Sequence, residues 1–241
     1  MKRAKYLFPV LAAVSLLTGM QVSAEGYGQG RERDAMNRPA GAVTFQAQYA
    51  ASGAFALSDD PQRIILTFDQ GYENGYTAKI LDTLKEKHVT AIFFLTGDYA
   101  RKEPALIKRM IAEGHTLGNH GMTHACIAGM NSAAIEEELM TLHSFVQQQY
   151  GYDMQYFRPP CGEYDPRALE AVSALGYKTV FWSCAHVDWI TDDQPDPAEA
   201  LQTLTDAAHG GAIYLLHAVS ATNAAILGDL IDALRAKGYT L

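Results

Sequence analysis

From residue 63 onward, apolar runs of three to five residues alternate with longer stretches in which apolar side chains return every third or fourth position. The runs at residues 64–68, 91–95, 116–119, 156–158, 179–182, 212–216 and 239–241 read as strands. The stretches near residues 75–87, 99–112, 133–150, 166–175, 197–208 and 223–237 read as amphipathic helices. Gly114, Gly176, Gly210 and Gly238 follow several of these helices at C-cap positions. Strand–helix repetition with seven strands predicts an α/β fold whose parallel sheet is closed or nearly closed, a distorted (β/α)7 barrel.

Ahead of this domain, which spans residues 63–241, residues 25–62 are rich in Gly, Ala, Gln and Ser and show little periodicity. They read as an N-terminal arm or linker lying across it. Residues 1–24 begin with Lys2, Arg3 and Lys5, continue through an apolar run at 6–17 and finish on Val22-Ser23-Ala24, a small-x-small cleavage pattern, so a signal peptide is expected. The apolar run is short for a bilayer span. The expected product is therefore secreted or extracytoplasmic and cell-wall associated, with no stable membrane insertion unless the leader is retained as an anchor.

A chain of 241 residues fits one large domain with a substantial core. Its formal charge is −8, and losing the three basic residues of the leader takes it to −11. That charge argues against nucleic acid as a partner, because such binding relies on neutralising phosphates, and suits a neutral or mixed-charge substrate. Cys126, Cys161 and Cys184 form no C-x-x-C pair, and three thiols allow one bridge at most.

Polar residues then become informative by position. Asp69, His120, Arg158 and His217 all fall at the C-terminal ends of expected strands, where side chains of a parallel barrel converge on one mouth. With His124 four residues beyond His120, the set comprises a carboxylate, a guanidinium and three imidazoles. That is the equipment for metal-assisted hydrolysis.

Thr67-Phe68-Asp69-Gln70-Gly71 is similar to T-F-D-D-G, His120 to His124 to H-[ST]-x-x-H, and Arg158-Pro159-Pro160-Cys161-Gly162 to R-x-P-x-G; Asp188-Trp189 and Leu215-Leu216-His217 supply a fourth and fifth motif. In this order, over about residues 60–241, the chain resembles the polysaccharide deacetylases of carbohydrate esterase family 4, the NodB homology domain. Residues 68–75, Trp182-Ser183 with Asp188-Trp189, and residues 216–220 are similar to the branch that deacetylates muramic acid in spore-cortex peptidoglycan, leading to muramic δ-lactam.

The resemblance and the chemistry of amide hydrolysis agree on roles. Asp69 is expected as the base, kept ionised by Arg158. His120 and His124 are expected to hold a divalent metal ion, zinc by the chemistry of imidazole donors. His217 is expected as the acid, kept protonated by Asp188. The backbone N–H of Cys161 is expected to face the oxyanion. Tyr72, Tyr164, Trp189 and Leu216 either wall the sugar site or pack the core.

Two departures stand out: Gln70 replaces the carboxylate ligand with a neutral amide, and Gly121 replaces the hydroxyl residue between the histidines. The expected activity is removal of N-acetyl groups from cell-wall amino sugars, N-acetylmuramic acid in peptidoglycan first. N-acetylglucosamine or chitin-type polymers, or a catalytically silent glycan-binding domain, are the alternatives.

Overall fold

The computed structural model describes residues 25–241, so the leader expected over residues 1–24 lies outside it. The elements run β1 (Glu25–Gly26), α1 (Ala40–Tyr49), β2 (Ala54–Phe55), β3 (Ile65–Gln70), α2 (Thr77–Glu86), β4 (Ile92–Leu95), α3 (Gly97–Lys102), α4 (Pro104–Ala112), β5 (Thr116–Asn119), α5 (Ser132–Tyr150), β6 (Tyr156–Phe157), β7 (Glu163–Tyr164), α6 (Pro166–Ala174), β8 (Lys178–Val180), β9 (Cys184–Ala185), α7 (Pro197–Asp206), β10 (Ile213–His217) and α8 (Ala221–Ala236). Among the described residues, eight strands form one sheet in the order β2-β8-β6-β5-β4-β3-β10-β9, a half-barrel with helices packed on its outside; β1 and β7 make a separate antiparallel pair.

The long strands are buried on both faces, as expected of a parallel sheet covered by helices. Phe68 and Phe93 stack at 5.2 Å within the layer facing Ile80, Leu81 and Leu84 of α2. On the concave side Phe94 sits with Val180 and Ile213. Gly118 makes that arrangement possible, because a Cβ there would stand 2.4 Å from the Phe94 ring. Helix starts are fixed by side-chain acceptors, with Asn131, Asp165, Asp196 and Ser220 each capping the next helix.

The architecture is the parallel α/β barrel type that the periodicity predicts, but open as a half-barrel of eight strands with β2 and β9 at its edges, and with differences at its margins. The expected strand at 239–241 is a single parallel bridge between Thr240 and Arg63, while four short strands, β1, β2, β7 and β9, escaped the pattern. The helix expected over residues 99–112 divides at Pro104, which has no N–H to donate and disfavours helical backbone at Glu103. Within the segment expected as an arm, α1 buries Ala42, Phe45 and Tyr49, a stripe that the surrounding small residues hide from a hydropathy reading. No helix of the described residues is long and apolar enough to cross a membrane.

Register places the polar residues. β10 lies beside β3 with His217 opposite Asp69, and β5 lies beside β6 with Asn119 opposite Phe157. His120 and Arg158 are therefore the next residues on two neighbouring strands, and Arg158 N–H donates to the Asn119 carbonyl at 3.0 Å.

Candidate active site

Arg158 is wholly buried, which is tolerable for a guanidinium only if its donors are used. Nη1 donates to Asp69 Oδ1 and to Thr67 Oγ1, both at 2.7 Å, Nε to the Val180 carbonyl at 3.0 Å, and Nη2 to the Phe181 carbonyl at 3.2 Å. Its guanidinium carbon lies 4.3 Å from the centroid of the Phe94 ring. Burial works against an ionised Asp69, but the charge and hydrogen bond of Arg158, with the charges of His120 and His217, together outweigh it and hold the carboxyl below its ordinary range.

His120 is oriented by the same residue. Its Nδ1 lies 2.8 Å from the Arg158 carbonyl oxygen, which can only accept, so Nδ1 carries the proton and Nε2 presents its lone pair. Nε2 faces Asp69 Oδ2 at 3.6 Å, and the His124 ring stands 4.8 Å away, centroid to centroid. Burial pushes the His120 imidazole down to about 4, against the pull of Asp69, so the ring is neutral near pH 7. A neutral imidazole with a free Nε2 beside a second imidazole and a carboxylate is donor chemistry that suits a divalent cation, although among the described residues no three such groups already converge as a ligand set.

On the opposite wall, His217 Nδ1 lies 2.7 Å from Asp188 Oδ1, and the His217 backbone N–H donates to Asp188 Oδ2 at 2.9 Å. Asn223 Nδ2 also donates to Asp188 Oδ2, and His186 Nε2 lies 3.0 Å from Asn223 Oδ1. Burial alone would lower the His217 pKa, yet the buried Asp188 carboxylate raises it above its ordinary value.

Asp69, His120, His124 and His217 line one cleft of about 470 Å³, with Arg158 and Asp188 buried behind them. A second lobe of about 330 Å³ shares Asp69, His120, His124, Trp189 and His217 with it and adds Cys161, Trp182 and Leu215. Tyr72 and Trp189, each about half exposed at 51% and 49%, flank the opening, and the Trp189 ring stands 5.5 Å from that of His217.

Two expected wall residues are placed elsewhere, and here the sequence reading is corrected. Leu216 is buried with the helix-facing core, since alternation along β10 turns Leu215 and His217 inward instead. Tyr164 packs among Phe45, Tyr49 and Phe181, with its hydroxyl donating to Glu25. Gln70 lines neither lobe; it is completely buried at the end of β3, and both amide atoms lack a hydrogen-bond partner. Cys161 lines the second lobe with left-handed backbone (φ 62°), and its thiol meets that of Cys126, whose pKa this contact and burial push up to about 11.

The model of the polysaccharide deacetylase family matches residues 57–180. The chain belongs to that family. The peptidoglycan-N-acetylmuramic acid deacetylase PdaA of Bacillus subtilis is 39% identical over 244 aligned residues, covering 98% of this chain and 93% of PdaA. The solved structure of that protein, described as a family 4 carbohydrate esterase, superposes with a TM-score of 0.84 over 90% of this chain and 93% of its own. A peptidoglycan-N-acetylglucosamine deacetylase of Bacillus cereus is 36% identical over 58% of this chain and 50% of its own length.

Within this deacetylase-family cleft, sequence reasoning missed Leu215, Asp98 at the start of α3, and Thr67 beneath Arg158. Thr67 was detectable, since strand alternation puts it on the same face as Asp69. Asp98 follows a capping threonine and carries no signal that separates it from an ordinary first-turn acid.

Proposed function

We propose that the chain removes N-acetyl groups from N-acetylmuramic acid in peptidoglycan. In this reading it acts outside the cytoplasm on the cell wall, once a leader in residues 1–24 has directed export, in the series of steps that leads to muramic δ-lactam in spore cortex. The observation that carries the reading is the single cleft in which Asp69, tied to Arg158, faces the His120–His124 pair on one side and the His217–Asp188 pair on the other. Similarity to PdaA over nearly the whole chain supports the choice of sugar.

His120 and His124 would hold the cation, zinc by donor chemistry, while Gln70, buried outside both lobes, is not placed to join them. When bound, the cation supplies positive charge that polarises the acetyl carbonyl and acidifies a nearby water. Asp69 takes a proton from that water as its oxygen attacks the acetyl carbon, and Arg158 keeps Asp69 ionised for the purpose. The Cys161 backbone N–H donates to the developing oxyanion. Nδ1 of His217 is committed to Asp188, so Nε2 delivers a proton to the sugar nitrogen as the C–N bond breaks, releasing acetate and the free amine. Tyr72 and Trp189 bracket the sugar.

The test is acetate release from peptide-stripped peptidoglycan beside chitin oligomers, for the wild type and Asp69→Asn. Release from peptidoglycan in preference to chitin, with a loss of about 10²- to 10⁴-fold in the variant, is the expected result. Equal release by the two proteins removes Asp69 from its role, and preference for chitin overturns the substrate.

A further inference from the structure

Helix α5 carries three consecutive glutamates, and only the last of them, Glu138, is buried, at 8% exposure, between Ile135, Leu139 and Leu142 of its own inner face. A carboxylate in such surroundings requires partners. Among the described residues it forms no ion pair with a lysine, arginine or histidine. Its partners come instead from the loop that carries His124. Oε1 accepts from the Thr123 N–H at 2.6 Å and the Ala125 N–H at 3.3 Å, and the Thr123 hydroxyl lies 3.1 Å from Oε1 and 3.0 Å from Oε2. The Glu138 carbonyl accepts from Met122 N–H at 3.1 Å. One residue of α5 thus fastens positions 122, 123 and 125, on both sides of His124.

The other face of this contact explains Gly121. A Cβ at that position would stand 2.7 Å from Glu138 Oε1, and the backbone there is left-handed (φ 85°). The carboxylate occupies the space beside the loop that a side chain at position 121 would take. His124 itself has left-handed backbone (φ 61°), a conformation that a non-glycine residue keeps only when its surroundings enforce it.

From this geometry we infer that Glu138 is a positioning residue for the cation site: its carboxylate holds the Thr123–Ala125 loop so that the His124 imidazole stays beside that of His120. The inference rests on the reading of these histidines as cation ligands. Glu138 touches neither cation nor substrate, and its effect runs through the loop, as for the outer partners of metal-binding histidines generally.

The experiment is zinc binding by the full chain, measured by competition with a chromophoric chelator, together with amide exchange at Thr123 and Ala125. Glu138→Ala is expected to weaken zinc binding by about 10- to 100-fold and to speed exchange at both amides. Glu138→Gln, which keeps an acceptor oxygen, recovers most of the affinity. Thr123→Val removes only the hydroxyl bonds and leaves the core untouched, so it serves even if the alanine variant does not fold; it should bind zinc more weakly than the wild type. Wild-type zinc affinity in every folded variant overturns the role of Glu138. A wild type that takes up no zinc overturns the cation site itself, and the role of Glu138 falls with it.

Discussion

Asp188 grips His217 twice, through Nδ1 at 2.7 Å and through the backbone N–H at 2.9 Å, so the ring cannot turn without breaking a bond to a fully buried carboxylate. The pH dependence follows from this contact and from Asp69. In the proposed mechanism, activity requires Asp69 ionised and His217 protonated. The first group is held below the ordinary carboxylate range and the second is raised above the ordinary imidazole value, so the plateau of kcat/KM extends outward at both ends. Asp188→Asn removes the larger part of what raises His217, leaving the weaker pull of Asp69 against the burial that lowers it. The alkaline limb of kcat/KM should therefore move to lower pH while the acid limb stays; a profile recorded from roughly pH 4 to 10 decides it, and an unmoved alkaline limb removes Asp188 from the role.

Arg158 and Asp69 form a buried ion pair, and such pairs are costly to break from one side. Arg158→Met leaves a buried carboxylate without its partner and should destabilise the fold by ~3–5 kcal/mol, read from urea denaturation. Combining it with Asp69→Leu should recover part of that loss with no return of activity. A double variant less stable than Arg158→Met would contradict the ion-pair account.

Trp189 is half exposed and stands over the cleft without touching the proton-transfer pair at bonding distance. Trp189→Ala should raise KM for glycan strands by roughly two- to tenfold, the scale of one aromatic contact, with kcat nearly unchanged. A fall in kcat at constant KM would instead mark Trp189 as part of the chemistry.

Chelation should abolish acetate release, and added zinc should restore it. His120→Ala removes a proposed ligand and also the donor to the Arg158 carbonyl, so its activity should not return at zinc concentrations that restore the wild type. Metal content by mass spectrometry after dialysis gives the independent readout. Full activity in the chelated wild type would overturn the metal-assisted reading.

What the sequence by itself determined was local. Hydrophobic period marked the long strands and most helices, and position at a strand's C-terminal end marked Asp69, His120, Arg158 and His217, because both are properties of a few neighbouring residues. Tertiary structure decided everything that depends on which strands lie side by side. Arg158 meets Asp69 across 89 residues and His120 across 38, and no short-range pattern encodes either approach. The register pairing Leu215 with Thr67 fixed that Leu215, and not Leu216, faces the cleft, since a shift of one residue exchanges the two faces of a strand. Tyr164 went to an aromatic cluster with residues near the start of the chain, and a glutamate indistinguishable in sequence from its two neighbours became the anchor of the His124 loop. Each of these outcomes was set by burial and by the need of buried polar groups for partners, which only the folded chain supplies.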